Sequence, residues 1–305
     1  MHIAFNVDHE HVRFCGVAIM SALRCNRNRN TRVVAHVLSR GLTAHDRATL
    51  NALAALYGGE VFFYEPDTRL IEGFRVADAR LQVPLVTYFR CLLAEYLPTT
   101  LHRVIYLDCD TIVCNRLDGF WNLPLAGAPL AAVADVAAAS ARYDELGYGP
   151  EDGFFNAGVL LVNLDYWREH NVGQACIDSF QSLPAGVVLN DQELLNRVFH
   201  SEVVWASMRF NAQSGFYRTS YAHYDEHRKE LDRPAILHFS QSKPWEWNCM
   251  HPLRHAFFSC QNLTPWRGED VLSNPFVRFA RWVRLLPYTL HICRRRYRDD
   301  VNFYV

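Results

Sequence analysis

Val104-Ile105-Tyr106-Leu107-Asp108-Cys109-Asp110-Thr111-Ile112-Val113 sets two acids, one residue apart, between two apolar runs. If the segment is extended, side chains alternate between faces, so Asp108 and Asp110 share one side and Cys109 takes the other. Two carboxylates in one small volume repel and raise each other's pKa unless a cation lies between them. Oxygen ligands of that kind suit Mg²⁺ or Mn²⁺, which hints at phosphate chemistry. Asp-x-Asp also arises by chance as a strand end with two solvated acids, and the tripeptide alone leaves that alternative open.

Around this stretch strand and helix signals alternate, which predicts an α/β layer fold with a mainly parallel sheet. Ile3 to Val7, Val33 to Leu38 and Val61 to Tyr64 read as strands, and Val12 to Leu23 as a helix between the first two. Thr43 is the expected N-cap of a helix through Leu56 that Gly58-Gly59 stops. Thr87 to Leu97 reads as helical, ended by Pro98. Leu130 to Val133 is a strand leading to Asp135, and 137 to 153 a long loop, a feature more often functional than accidental. Phe154 to Asn163 begins as a turn and continues as a buried strand, Asp191 opens a helix, and Ala235 to Phe239 is a short strand carrying His238.

The chain has 305 residues, half of them apolar, enough to bury a large core. The start lacks the basic and long apolar character of a signal peptide, and no run approaches the length of a membrane span. Nine scattered cysteines, with no Cys-x-x-Cys pair, argue for free thiols in a reducing compartment and against a structural zinc site. A cytoplasmic protein is the expectation. The net charge is −1, yet from Asn274 onward seven arginines face two aspartates.

The ordered set Asp108-Cys109-Asp110, Phe155-Asn156-Ala157-Gly158-Val159, Asp191-Gln192 and His238 with Lys243-Pro244-Trp245 closely resembles glycosyltransferase family 8, from about Ile3 to about Trp247. The nearest likeness is to bacterial galactosyl- and glucosyltransferases of lipopolysaccharide assembly. The resemblance implies a GT-A fold, a Rossmann-like α/β domain with a mainly parallel sheet, over residues 1–262. Residues 263–305 form a C-terminal basic and aromatic tail. It implies a retaining, metal-dependent hexosyltransferase that moves galactose or glucose from UDP-galactose or UDP-glucose to a glycan or glycolipid acceptor, of lipopolysaccharide, lipooligosaccharide or another surface glycan.

By this resemblance Asp108, Asp110 and His238 are the protein ligands of Mn²⁺, with Mg²⁺ as the alternative, and the metal also holds the donor's phosphates. Two hard oxygens and an imidazole suit such an ion. Donor binding is implied for Asn6, Asp8, Arg90, Asp108, Asn156 and Lys243, with Asp8 accepting the uracil imide and Lys243 facing the pyrophosphate. Catalytic roles fall to Gln192, Asp191 and Lys243, and Asp135 lines the acceptor side. Gln192 is an amide and a poor nucleophile, so attack on the leaving-group face fits better than a covalent intermediate.

Two departures stand out. The segment His238-Phe239-Ser240-Gln241-Ser242-Lys243 is shorter than the family's and carries Gln241 in place of a glycine. Around Gln82 and Ala137 the acceptor-facing residues of better-known galactosyltransferases are not reproduced. The tail mixes arginines with Phe276, Phe279, Trp282, Val283, Leu285 and Leu286, which reads as a basic amphipathic segment for an anionic membrane face, with Pro287 interrupting any continuous helix. That makes the protein peripheral on the inner face of the cytoplasmic membrane, and aromatics among aliphatics in an acidic body argue against nucleic acid. Two other readings stay open: a self-glucosylating primer of the glycogenin kind, using Tyr143, Tyr148 or Tyr217, and a catalytically silent sugar-nucleotide-binding protein.

Overall fold

The computed structural model describes residues 1–27, 32–74, 84–138, 143–199, 202–290 and 292–303. Gln82 and residues 139–142 of the predicted loop lie outside this set. Strands β1 (His2–Asp8), β2 (Val34–Arg40), β3 (Glu60–Tyr64), β4 (Arg103–Leu107), β6 (Leu130–Ala134), β7 (Phe155–Asn163) and β8 (Val203–Trp205) build a seven-stranded sheet in the order β3-β2-β1-β4-β7-β6-β8. The pairings β3-β2, β2-β1, β1-β4 and β6-β8 are parallel, whereas β7 runs antiparallel to β4 and β6. A mainly parallel α/β sheet is therefore what the sequence builds.

Parallel strands buried on both faces should be mostly apolar, and in β1 the buried residues Ile3, Ala4, Phe5 and Val7 are, with Asn6 the buried polar exception. Ile3, Phe5 and Val7 face one core cluster, which includes Cys15, Ala18 and Ile19 of α1 (Val12–Asn26), while Ala4 faces the other. Helix α2 (Ala44–Leu56) starts at Thr43 with a full capping box: Thr43 Oγ1 accepts from Asp46 N at 3.1 Å, and Asp46 Oδ2 from Thr43 N at 2.8 Å. Gly58, at φ +75°, lets the chain turn out of it. The helical reading of Thr87 to Leu97 holds in a tighter form, a 3₁₀ helix over Leu85–Leu92 followed by one α-turn. The loop from 137 contains a short helix at Tyr143–Leu146 and a 3₁₀ turn at Pro150–Asp152.

A second, three-stranded sheet, order β5-β10-β9, joins β5 (Thr111–Val113), β9 (Ala212–Gln213) and β10 (Ile236–His238). The chain thus leaves the large sheet at Leu107 and enters the small one at Thr111, with Asp108, Cys109 and Asp110 in the hinge between them. These residues form a turn, Thr111 N donating to Asp108 O at 3.2 Å, and not the extended strand the alternation predicts. The two acids converge because the backbone reverses.

The remaining longer helices are α3 (Leu164–Glu169), α4 (Val172–Gln181), α5 (Asp191–Phe199), α6 (Tyr224–Leu231), α7 (Arg254–Gln261) and α8 (Pro275–Thr289). Asn274 caps α8 and Pro275 opens it. Pro287 does not interrupt this helix, contrary to the sequence expectation: it lies in the last turn, where only the Val283 carbonyl loses a donor, and the helix ends two residues later. Beyond it, Tyr297 returns to the core beside Tyr217, Tyr224 and Phe257.

Candidate active site

β-Pairing brings the predicted cluster together. Strand β10 runs antiparallel to β5 with His238 opposite Thr111, and Phe239 N donates to Asp110 O at 3.0 Å, so the imidazole arrives beside the acids. On the other flank β7 departs from regular pairing: Leu160 pairs with Ala132 but Phe155 with Ala134, so β7 spends five residues where β6 spends two. This irregularity exposes Asn156 to Gly158 to the site, a common use of a bulge. Gly158 O accepts from Asp108 N at 2.8 Å. A Cβ on Gly158 would lie 2.3 Å from His238 Cε1 and 2.7 Å from Asp108 Oδ2, so the close approach demands glycine.

One ligand atom from each of Asp108, Asp110 and His238 lies within 4.8 Å of the others. Their remaining valences are already committed. Asp108 Oδ1 accepts from Arg90 Nη2 at 2.7 Å and from Tyr106 Oη at 2.8 Å, and Asp110 Oδ2 accepts from Lys243 Nζ. His238 Nδ1 sits 2.9 Å from Asn211 Oδ1, which leaves Nε2 facing Asp110 Oδ1 at 3.2 Å. Asp110 Oδ1 is buried with no hydrogen-bond donor among the described residues. An orphaned carboxylate oxygen opposite an imidazole nitrogen fits a shared cation, and the O, O, N donor set suits Mn²⁺ or Mg²⁺. Burial opposes ionisation of Asp110, but Lys243 and His238 outweigh it and hold the carboxyl well below its usual range.

Around the triad are two cavities. One of about 380 Å³ is lined by Asn6, Asp8, Arg90, Asp108, Asp110 and Lys243, with His11 and Trp245. Every donor-side residue named from the sequence except Asn156 therefore shares one cavity. Trp245 stacks on Phe14 with ring centroids 3.5 Å apart, and Lys243 Nζ also donates to Phe239 O at 3.1 Å, so the shortened loop still delivers the lysine to Asp110. The second cavity, about 290 Å³, is lined by Asp135, Asn156, Gln192, Gln213, Ser240 and Gln241 among others. Asp191 is not in either lining; its Oδ2 takes Arg90 Nε at 2.8 Å. Burial, followed by the opposing pull of Arg90, leaves the Asp191 carboxyl raised.

Gln192 and Asp135 are tied inward: Gln192 Nε2 and Asn156 Nδ2 both donate to Asp135 Oδ2, at 3.0 and 2.8 Å. Four contributors escaped the sequence reading. Asn211 stands alone between Phe210 and Ala212, Tyr106 looks like any strand apolar, and His11 and Gln213 belong to no pattern. Among the proposed self-glucosylation tyrosines, Tyr217 is fully buried with its hydroxyl bound to Leu231 O at 2.9 Å, which removes it as an accessible acceptor.

Comparison with known proteins places the chain in a family. The family model of glycosyl transferase family 8 matches residues 2–249. The chain is 26% identical to general stress protein A of Bacillus subtilis, over 91% of this chain and 97% of that one. It is 25% identical to the lipopolysaccharide glucosyltransferase WaaO of Escherichia coli, over 90% of this chain and 81% of that one. Among solved structures it resembles the galactosyltransferase LgtC, determined in complex with donor and acceptor sugar analogues, at 26% identity and a TM-score of 0.76, covering 88% of this chain and 98% of that one. The GT-A architecture that the motifs imply is the architecture present.

Proposed function

The chain belongs to glycosyl transferase family 8 and is a glycosyltransferase, and on that footing we propose a retaining, Mn²⁺- or Mg²⁺-dependent transfer of galactose or glucose from a UDP-sugar to a lipopolysaccharide-type glycan. The observation that carries this reading is the facing pair Asp110 Oδ1 and His238 Nε2, 3.2 Å apart with no donor for the oxygen, beside Asp108. A divalent cation held there supplies positive charge against the phosphates of the departing UDP.

The protein's own groups do the rest. In the larger cavity Asp8 offers a carboxylate to the uracil imide N–H, which selects uridine. Arg90, held by Asp108 and Asp191, and Lys243, held by Asp110, stand as fixed cations near the diphosphate, preorganised for charge that grows as the sugar–phosphate bond breaks. Gln192 cannot act as a free nucleophile: its Oε1 accepts from Ala157 N at 3.0 Å and its Nε2 is spent on Asp135. That supports same-face attack, in which the anomeric C–O bond to phosphate breaks, the bond to the acceptor oxygen forms, and the acceptor's proton passes to a phosphate oxygen. Asp135 and Gln241 border the polar cavity offered to the acceptor.

The acceptor's location accounts for α8. Among the described residues no helix is long and apolar enough to cross a membrane. Yet Phe276, Phe279, Trp282 and Val283 project to solvent from one side of α8, while Arg281 on the opposite side donates to Trp247 O at 2.8 Å. An amphipathic helix whose apolar side faces outward, flanked by arginines, supports a peripheral position on an anionic bilayer. Assay of a panel of UDP-sugars with Mn²⁺, scoring UDP release, tests the reaction. Release from UDP-galactose or UDP-glucose, reduced at least about 100-fold in Asp110→Ala, is expected. No release from any donor by metal-bound protein would defeat it.

A further inference from the structure

A chain of side-chain hydrogen bonds runs from Asp135 to the metal cluster, and each link has a forced direction. The Asp135 carboxylate accepts at both oxygens: Oδ2 from Asn156 Nδ2 at 2.8 Å and Gln192 Nε2 at 3.0 Å, Oδ1 from Ala137 N at 2.6 Å. A carboxylate only accepts, so both amides must turn their NH₂ groups toward it. Backbone donors require the same orientation independently, because Gly158 N donates to Asn156 Oδ1 at 3.1 Å and Ala157 N to Gln192 Oε1 at 3.0 Å. Neither donor depends on how amide atoms are assigned.

The rest follows link by link. Asn156 Oδ1 is 2.9 Å from Asn211, which must therefore present Nδ2 and keep Oδ1 for the other side. There His238 Nδ1 lies 2.9 Å away, in a fully buried contact. An amide oxygen cannot donate, so Nδ1 carries a proton, and in the neutral ring Nε2 is then left as a lone pair. The alternative tautomer has its own attraction, since an Nε2–H could donate to Asp110 Oδ1, 3.2 Å away. That state would put a bare Nδ1 against Asn211; turning Asn211 to donate would set its oxygen against Asn156 Oδ1, which Gly158 N and Asp135 hold in place.

We infer that Asn211, oriented through Asn156 by Asp135, is a positioning residue that fixes His238 as the Nδ1–H tautomer and keeps Nε2 open to a divalent cation. The inference rests on the metal reading above, but its first consequence is a property of the metal-free protein. It also gives Asp135 a second task beside bordering the acceptor cavity, because its carboxylate polarity is transmitted through two amides to a metal ligand.

The test is ¹⁵N-histidine NMR of the metal-free protein at pH 8, with Mn²⁺ affinity measured in parallel by electron paramagnetic resonance. Wild type should show His238 protonated at Nδ1. Asn211→Leu, which cannot accept that proton, should move it to Nε2 and weaken Mn²⁺ binding by about 10- to 100-fold, the usual cost of losing a partner that orients a ligand. Asn211→Asp, which still accepts at Nδ1 and, as the protonated carboxyl, can donate to Asn156 Oδ1 in place of the amide, should restore protonation at Nδ1, an outcome that a general packing role would not produce. An Nε2–H wild-type ring, or an Asn211→Leu ring unchanged in tautomer and metal affinity, overturns the inference. If Asn211→Leu does not fold, the wild-type and Asn211→Asp spectra decide it alone. The predicted tautomers together with no Mn²⁺ binding by wild type would uphold the tautomer assignment and remove the metal reading.

Discussion

Arg90 Nε lies 2.8 Å from Asp191 Oδ2, joining the 3₁₀ helix before β4 to the first residue of α5, while Nη2 of the same guanidinium reaches Asp108 at 2.7 Å. The arginine is buried, and although burial disfavours its charge, the two carboxylates outweigh it and raise its pKa. One planar cation therefore neutralises two acids from different parts of the chain, and its removal strands both. Arg90→Met should destabilise the fold by about 3–5 kcal/mol near neutral pH. The sign with pH follows from Asp191, whose pKa is already raised by burial and would rise further without Arg90. The folded state then binds more protons than the unfolded one, so the variant should regain stability as pH falls from 7 toward 5. Urea unfolding across that range checks it; a variant equally unstable at both ends would contradict the assignment.

Gly158 separates folding from metal binding. The 2.3 Å and 2.7 Å approaches of a Cβ there fall on His238 and Asp108, two of the proposed ligands. Gly158→Ala must push one of them aside, an overpacking cost of about 1–3 kcal/mol. The protein should stay folded, with a lowered melting temperature, while Mn²⁺ affinity by isothermal calorimetry drops. Unchanged affinity would mean the ligands are elsewhere.

The long elements were legible because their patterns and caps are local: the apolar run Ile3-Ala4-Phe5 marks β1, and Thr43 caps α2 as its spacing with Asp46 requires. Asp108, Asp110, His238 and Lys243, which the fold brings together, were legible through ordered motifs. What stayed hidden is non-local. The strand carrying His238 was legible, but strands of two or three residues, such as Ala212–Gln213 and Thr111–Val113, carry no periodicity, so its pairing with them into a small sheet has no signature. The reversal at Asp108 to Asp110 depends on the chain changing sheets, and local alternation misreads it as extended. Asn211 acquires its meaning only from partners 55 and 27 residues away.

At the larger cavity His11 Nδ1 lies 2.6 Å from Asp8 Oδ1. The hydrogen bond to Asp8 raises the His11 pKa above its ordinary 6.5, against half-burial, which lowers it. Burial in turn pushes Asp8 up, but His11 prevails and leaves it lowered. The pair's stabilisation through His11 is thus complete below pH 6.5 and is lost as pH rises through the raised folded value. NMR titration should give His11 a midpoint above 6.5, and Asp8→Asn should bring it to 6.5 or below. A wild-type midpoint under 6.5 would dissolve the pair as a charged contact.

Helix α8 gives a prediction in which two forces separate. Phe279 and Trp282 are 64% and 56% exposed and stack at 5.9 Å between centroids, so they form one apolar ridge. Replacing both with serine removes the groups that would enter the bilayer but leaves every arginine, and each lost aromatic should cost roughly 1.5 kcal/mol of partitioning, about tenfold in binding. Charge reversal at Arg294 and Arg296 should instead leave binding to neutral vesicles unchanged while abolishing the gain from anionic lipid, an effect that salt mimics. Sedimentation with phosphatidylcholine vesicles, with and without phosphatidylglycerol, distinguishes the two. If neither variant alters sedimentation, α8 does not meet a membrane. If only the charge variants do, the helix is held at the surface electrostatically and its aromatic ridge serves another contact.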